Sequence, residues 1–233
     1  MRINKLFSNF GICSRKETNK IIREGRVIVN GKPCIEGQWV ELSDEILLDG
    51  KPLVPKEKIY IALNKPVGVV CTAAEEVKDN IIDYLGIDDY VFPIGRLDKD
   101  SQGLIILTND GDLNHKLISP KYHVDKVYYA EINAPITEKD IKAFENGVTL
   151  DDGYKCMSAK LKVIENLEDS SRVEVTVQEG KYHQVKRMFE ARGKKVVYLK
   201  RTSFGNLPLD ESLEEGEYKE LSESELAVLY KNF

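Results

Sequence analysis

Apolar and polar positions along this chain follow two periods, and the change from one to the other divides the sequence. In the first fifty residues Ile3, Leu6 and Phe7, and then Ile21 and Ile22, fall at helical spacing. Ser14 stands as the N-cap of "RKETNKIIREG", with Gly25 as its stop. "RVIVNGKPC" then reads as a strand entering an Asn30-Gly31 hairpin turn, and "EILLDGKPL" repeats that pattern at Asp49-Gly50. Pro52 to Lys58 carries the proline and charge of a linker. The expected organisation is a small module over 1–51, a linker over 52–58 and a larger domain over 59–233.

Beyond the linker, period-2 alternation and β-branched content predict strands in "IYIALNK", "GVVCTA", "LIILT", "KVYYAEIN", "AKLKVIE", "RVEVTVQE" and "KVVYLKR". Helical spacing predicts "NIIDYLG", "GDLNHKLI", "TEKDIKAFENG" with Thr137 as N-cap, and "YHQVKRMFEARG" ending on Gly193. Long strands meeting few helices, without regular βαβ spacing, indicate an α+β domain on a mixed, mostly antiparallel sheet.

Composition narrows the class of protein. No apolar stretch approaches the ~20 residues of a membrane span, and "MRINKLFSNFGICSRK" lacks the apolar core of a secretory signal, so a cytoplasmic protein is expected. Cys13, Cys34, Cys71 and Cys156 are scattered without a CxxC pair, which favours reduced, buried thiols over a zinc site. The net charge of −5 argues against a polyanionic partner, but its distribution argues for one. Eight basic residues between Arg2 and Lys32 face Glu17 and Glu24, and eight more between Lys181 and Arg201 face Glu190 alone. Two basic blocks in an acidic chain mark a local footprint for phosphates.

The loop "GRLDKDSQGLIILTNDGDL" raises the question of chemistry. Asp98, Asp100, Gln102 and Gly103 match the first half of a calcium loop. Ile106, with no side-chain oxygen, then stands at a ligand position and Asn109 where a bidentate Glu is required, which rules that reading out. A carboxylate pair would need Asp100 to act beside Asp98, although side chains two apart on a loop tend to diverge. A single displayed nucleophile remains, flanked by Gly95 and Gly103 and followed by a buried strand.

Four passages, "LNKPVG", "GRLDKDSQGLIILTNDG", "DKVYYAEI" and "EGKYHQVKRMF", together resemble pseudouridine synthases of the RsuA type (the RsuA/RluB/RluE/RluF group) over the whole chain. The first fifty residues resemble the S4 RNA-binding module through Ser14-Arg15, Ile22, Gly25, Val27 and Val29-Asn30-Gly31, with Asn4 departing from the usual Asp. The resemblance implies isomerisation of a uridine in ribosomal RNA without metal or other cofactor. It implies Asp98 as nucleophile, Arg96 holding the target nucleotide out of the stack, Tyr128 packing on the base and Lys186 as the basic partner of Asp98. RNA contacts are expected from Arg2, Lys5, Ser14, Arg15, Lys16, Arg26, Asn30, Lys65, Lys181, His183, Gln184 and Arg187, with none of the histidines assigned catalysis. "HQVKRMF" and the C-terminal tail point to 16S rRNA or an assembling small subunit, typically uridine 516 for this type. The loop itself resembles the 23S group equally well. A monomer is expected, and a non-catalytic RNA-binding regulator is the alternative from another class.

Overall fold

The computed structural model describes residues 1–74 and 76–231. The N-terminal unit packs α1 (Ile3–Asn9) and α2 (Arg15–Arg23) on a four-stranded sheet of β1 (Val27–Val29), β2 (Lys32–Pro33), β3 (Ile46–Leu48) and β4 (Lys51–Pro52), in the order β2-β1-β3-β4. Ser14 closes a capping box with Glu17, which satisfies two free donors at the start of α2. Asn30-Gly31 and Asp49-Gly50 all take positive φ, the conformation a two-residue hairpin needs. Ile3, Leu6, Phe7, Ile22, Val27, Val29 and Ile46 form a core belonging to this unit alone.

The linker is shorter than its composition suggests. Pro52 ends β4 and Leu53 packs against the module's core, so only the following residues run between the units. That run is pinned: Lys56 N donates to Phe10 O at 2.8 Å and Lys58 Nζ to Asn9 O at 2.9 Å. Asn109, just past the end of a central strand, accepts from Ile59 N and donates to Glu57 O. Gly11 of the module lies against the same Asn109 side chain.

The larger unit runs β5 (Tyr60–Lys65), α3 (Ile81–Leu85), β6 (Phe92–Ile94), β7 (Gln102–Thr108), α4 (Gly111–Ile118), a single 3-10 turn (Pro120–Tyr122), β8 (Lys126–Ile132), α5 (Glu138–Glu145), β9 (Lys160–Asn166), β10 (Ser171–Val177), α6 (Gln184–Glu190), β11 (Val196–Phe204), β12 (Leu207–Pro208), β13 (Tyr218–Glu220) and α7 (Glu223–Tyr230). Among the described residues its nine strands form one sheet in the order β13-β5-β7-β11-β8-β10-β9, with β12 on β11 and β6 on β7. The β7–β11 pair is parallel and the other pairs are antiparallel. The sheet is therefore mixed and mostly antiparallel.

Strand β7 explains why "LIILT" is apolar throughout. Leu104 and Ile106 enter one hydrophobic cluster while Ile105 and Leu107 enter another, so the strand is buried on both faces. Two expectations need correction. "GVVCTA" forms no strand; Val69 and Cys71 are buried, but Val70 makes only an isolated bridge to Asn80. Helix α6 begins at Gln184 rather than Tyr182 because His183 sits at φ 49. The short strands β6, β12 and β13, and helix α7, were not legible as separate elements. Among the described residues no helix is long and apolar enough to cross a membrane.

Candidate active site

The loop between β6 and β7 is fixed from several sides. Leu97 is buried and its backbone N–H meets Cys71 Sγ at 3.4 Å, so this residue plugs the loop into the core. Arg96 and Asp98, on either side of the plug, line the cleft above. Ser101 N donates to Asp98 O, and Gly68 N donates to Lys99 O. Underneath, the fully buried Lys65 donates from Nζ to Ser101 O at 2.8 Å and to Pro66 O at 2.9 Å. Lys65 is thus corrected from an expected RNA contact to an internal brace, its ammonium pushed down by burial.

Gly103, the second residue of β7, sits at φ 101, where its missing Cβ makes room for the neighbouring strand. A Cβ there would fall 2.2 Å from the Arg201 carbonyl oxygen, so β7 and β11 could not keep their parallel pairing with a side chain at this point.

Helix α6 brings the cation. Val185, Met188 and Phe189 are buried, with the Phe189 ring 4.9 Å from Phe144, and that packing sets the helix against the sheet. Lys186 then places Nζ 3.0 Å from Asp98 Oδ2 and 2.6 Å from Asp100 Oδ1. The carboxylates at 98 and 100 therefore converge on one ammonium, against the expectation that they diverge. Burial lowers the Lys186 ammonium, but its bonds to Asp100 and Asp98 outweigh that and raise it overall. The bond to Lys186 also holds Asp100 below the usual carboxylate range. A carboxyl so held stays ionised and has no proton to give, which argues against Asp100 as the general acid of a carboxylate pair.

His183 supplies a contact that sequence reasoning missed: its Nε2 lies 3.4 Å from Asp98 Oδ1. The signal lay in "YHQVK", where one helical turn separates His183 from Lys186 at i, i+3. Tyr128 is 9% exposed and lines both a small pocket at Asp98 and a larger adjoining cleft of about 560 Å³. That volume is within the range of small-molecule sites. Arg96 is exposed at its rim and makes no salt bridge among the described residues.

Other expected contacts separate into two groups. Lys181 lies at the cleft, its Nζ 4.3 Å over the Tyr154 ring. Arg187 stands beside Asp151 and Asp152, while its Nη1 reaches Tyr182 O. Gln184 is corrected: it is buried, accepting from Lys181 N and donating to Glu179 Oε1, so it shapes the loop rather than the outer surface. In the N-terminal unit Arg2, Lys5, Arg15 and Lys16 are exposed, the last paired with Glu76 of the larger unit. Ser14 is engaged as a cap, Arg26 is bound bidentately by Asp49, and Asn30 bridges Asp44 and Glu45 N. Those three side chains act first within the module.

The family model described as RNA pseudouridylate synthase matches residues 59–191. The chain is 41% identical to the uncharacterized RNA pseudouridine synthase YtzG of Bacillus subtilis, over 98% of both chains. It is 36% identical to ribosomal large subunit pseudouridine synthase B of the same organism, over 98% of this chain and 95% of that one. A crystal structure of a pseudouridylate synthase superposes with a TM-score of 0.71 at 36% identity, covering 98% of this chain and 99% of the other.

Proposed function

The chain belongs to the RNA pseudouridylate synthase family, and from that membership we propose that it isomerises a uridine of ribosomal RNA with Asp98 as nucleophile. The observation that carries this reading is the Asp98 carboxylate, on a braced loop at the cleft, 3.0 Å from the Lys186 ammonium. A carboxylate that must stay ionised beside a water-poor cleft needs a fixed cation nearby.

A uridine within folded RNA hides its glycosidic bond, so the nucleotide must leave the stack at a cost of a few kcal/mol. Arg96 at the rim can occupy the gap left behind, and the Tyr128 ring can pack on the extruded base. Asp98 then forms a covalent adduct, either with ribose C1′ or with the base, while the bond from C1′ to N1 breaks. Uracil turns and C5 joins C1′, the bond from Asp98 to C1′ or to the base breaks and returns its electron pair to the carboxylate, and the proton displaced from C5 is matched by one gained at N1. Atoms and charge are unchanged overall, so the reaction itself demands no oxidant or nucleotide energy.

Residues 1–51 read as an S4-like RNA-binding module, supported by the exposed Arg2, Lys5 and Arg15. For the target, "HQVKRMF" favours 16S rRNA, uridine 516 or its equivalent. The second reading is 23S rRNA, favoured by the large-subunit relative at 36% identity. Tritium release from C5-labelled uridine in each rRNA tests both. Release from neither would leave the regulator reading standing.

A further inference from the structure

Two cations in the wall of the cleft take no part in the chemistry above. Lys126 and Tyr128 share the inward phase of β8, and Phe204 and Arg201 stand directly opposite them on β11, on the same face. All four line the larger cleft with Arg96 and Asp98. Lys126 is 7% exposed and Arg201 2%. The Lys126 ammonium donates to Val124 O at 2.7 Å, and Arg201 Nε to Leu104 O at 2.7 Å. Arg201 Nη2 is buried with no hydrogen-bond partner, and neither cation forms a salt bridge among the described residues. Both lie over one ring, Lys126 Nζ at 5.2 Å and Arg201 Cζ at 4.8 Å from the Phe204 centroid.

Removing an ion from water costs several kcal/mol unless a counter-charge meets it. Here two like charges are buried together, and their effect is visible: burial, with Arg201 adding to it, pushes the Lys126 ammonium down to about 8. Asp125 adjoins Lys126 in sequence and opposes the shift, but its carboxylate accepts from Gln178 Nε2. Asp98 is already matched by Lys186. The site is short of negative charge, and a neutral uracil ring cannot supply it. A nucleotide's other end can.

We propose that Lys126 and Arg201 bind a backbone phosphate of the extruded nucleotide, next to the pocket that receives its base. This rests on reading the cleft as a nucleotide site. Two residues along one face of β8 separate Lys126 from Tyr128 by about 7 Å, a span that one ribose bridges. A base against Tyr128 thereby places an adjoining phosphate toward Lys126. Lys126 and Arg201 are positioning residues: they hold the nucleotide so that C1′ faces Asp98.

The test uses the full chain and a short RNA containing the target uridine, with a neutral methylphosphonate replacing the phosphate 5′ or, separately, 3′ of it. Because Arg201 also ties β11 to Leu104 O, Lys126→Met carries the measurement. On ordinary RNA, Lys126→Met should raise KM and Kd about tenfold or more, as expected when a charge-assisted hydrogen bond is removed, while Lys126→Arg restores most of the affinity. One of the two neutral linkages should weaken wild type by a similar factor and leave Lys126→Met with no further loss. Equal losses for the variant on ordinary and neutral RNA at both positions would overturn the proposal. So would a wild type indifferent to both replacements. A chain that binds these RNAs yet turns over none would overturn the functional reading instead, and the comparison of Kd values would still decide the phosphate contact.

Discussion

Lys186 Nζ lies 3.0 Å from Asp98 Oδ2, joining helix α6 to the loop ahead of β7. The pair is only partly screened from solvent, Lys186 being 17% and Asp98 24% exposed at their side chains. Removing the ammonium leaves the carboxylate without its nearest fixed counter-charge. Turnover should therefore run wild type, then Lys186→Arg, then Lys186→Met far behind, since a guanidinium keeps the charge but places it differently. Single-turnover rates on one RNA give the order, and a Met variant equal to wild type would reduce Lys186 to a surface charge.

Asp98→Asn preserves size and removes the charge. Isomerisation should fall below detection while the melting temperature moves by no more than a few degrees, as for other partly exposed polar positions. Asp100→Asn should keep activity, because the Asp100 side chain is 72% exposed and its hold on Lys186 competes with that of Asp98. An active Asp98→Asn enzyme would remove the nucleophile from this loop.

Gly103→Ala places a Cβ against the Arg201 carbonyl oxygen at a positive φ. Strain and the clash together should cost at least about 2 kcal/mol. Denaturant midpoints measure the loss. A variant as stable as wild type would mean that β7 and β11 can part locally without penalty.

Lys126 makes stability depend on alkaline pH. Its ammonium is held near 8 in the folded protein, against about 10.5 when unfolded. The unfolded chain binds more protons between those values, so this residue's contribution makes stability rise as pH climbs from about 8 to 10.5. The full strain is present below that window and amounts to about 3 kcal/mol. Unfolding curves of wild type and Lys126→Met across the window should converge in slope only outside it. Parallel curves throughout would deny the strain.

Neutralising Arg2, Lys5 and Arg15 together tests the module. The slope of log affinity against log salt should shrink by about 0.7 to 0.9 for each phosphate that these side chains neutralise in the wild type, with the rate on saturating RNA unchanged. An unchanged slope would show that this face does not meet RNA.

Much of this molecule was legible because its local rules agree with its fold. Ser14, Asn30-Gly31 and Asp49-Gly50 form the cap and turns their residue types favour. The loop carrying Asp98 stood out as polar residues between glycines before a doubly buried strand. What was not legible depends on contacts distant in sequence. Lys65 and Gln184 look like surface cations and amides until the chain folds over them. "GVVCTA" has the alternation of a strand but no neighbour offers a ladder. Lys126 and Arg201 did leave a trace, as charges in the inward phase of apolar strands, but period alone does not say what such a charge faces.

Strand β7 begins at the end of the Asp98 loop and finishes beside Asn109, against which Gly11 of the N-terminal unit rests. Its seven residues span about 23 Å and are buried on both faces. A rod of that kind acts as a caliper with one jaw in each unit. Were the first unit to grip a folded substrate, as the proposed reading has it, the atom that reacts would be the one lying a fixed interval away, and a candidate set closer or farther would not meet the carboxylate even with the same local sequence.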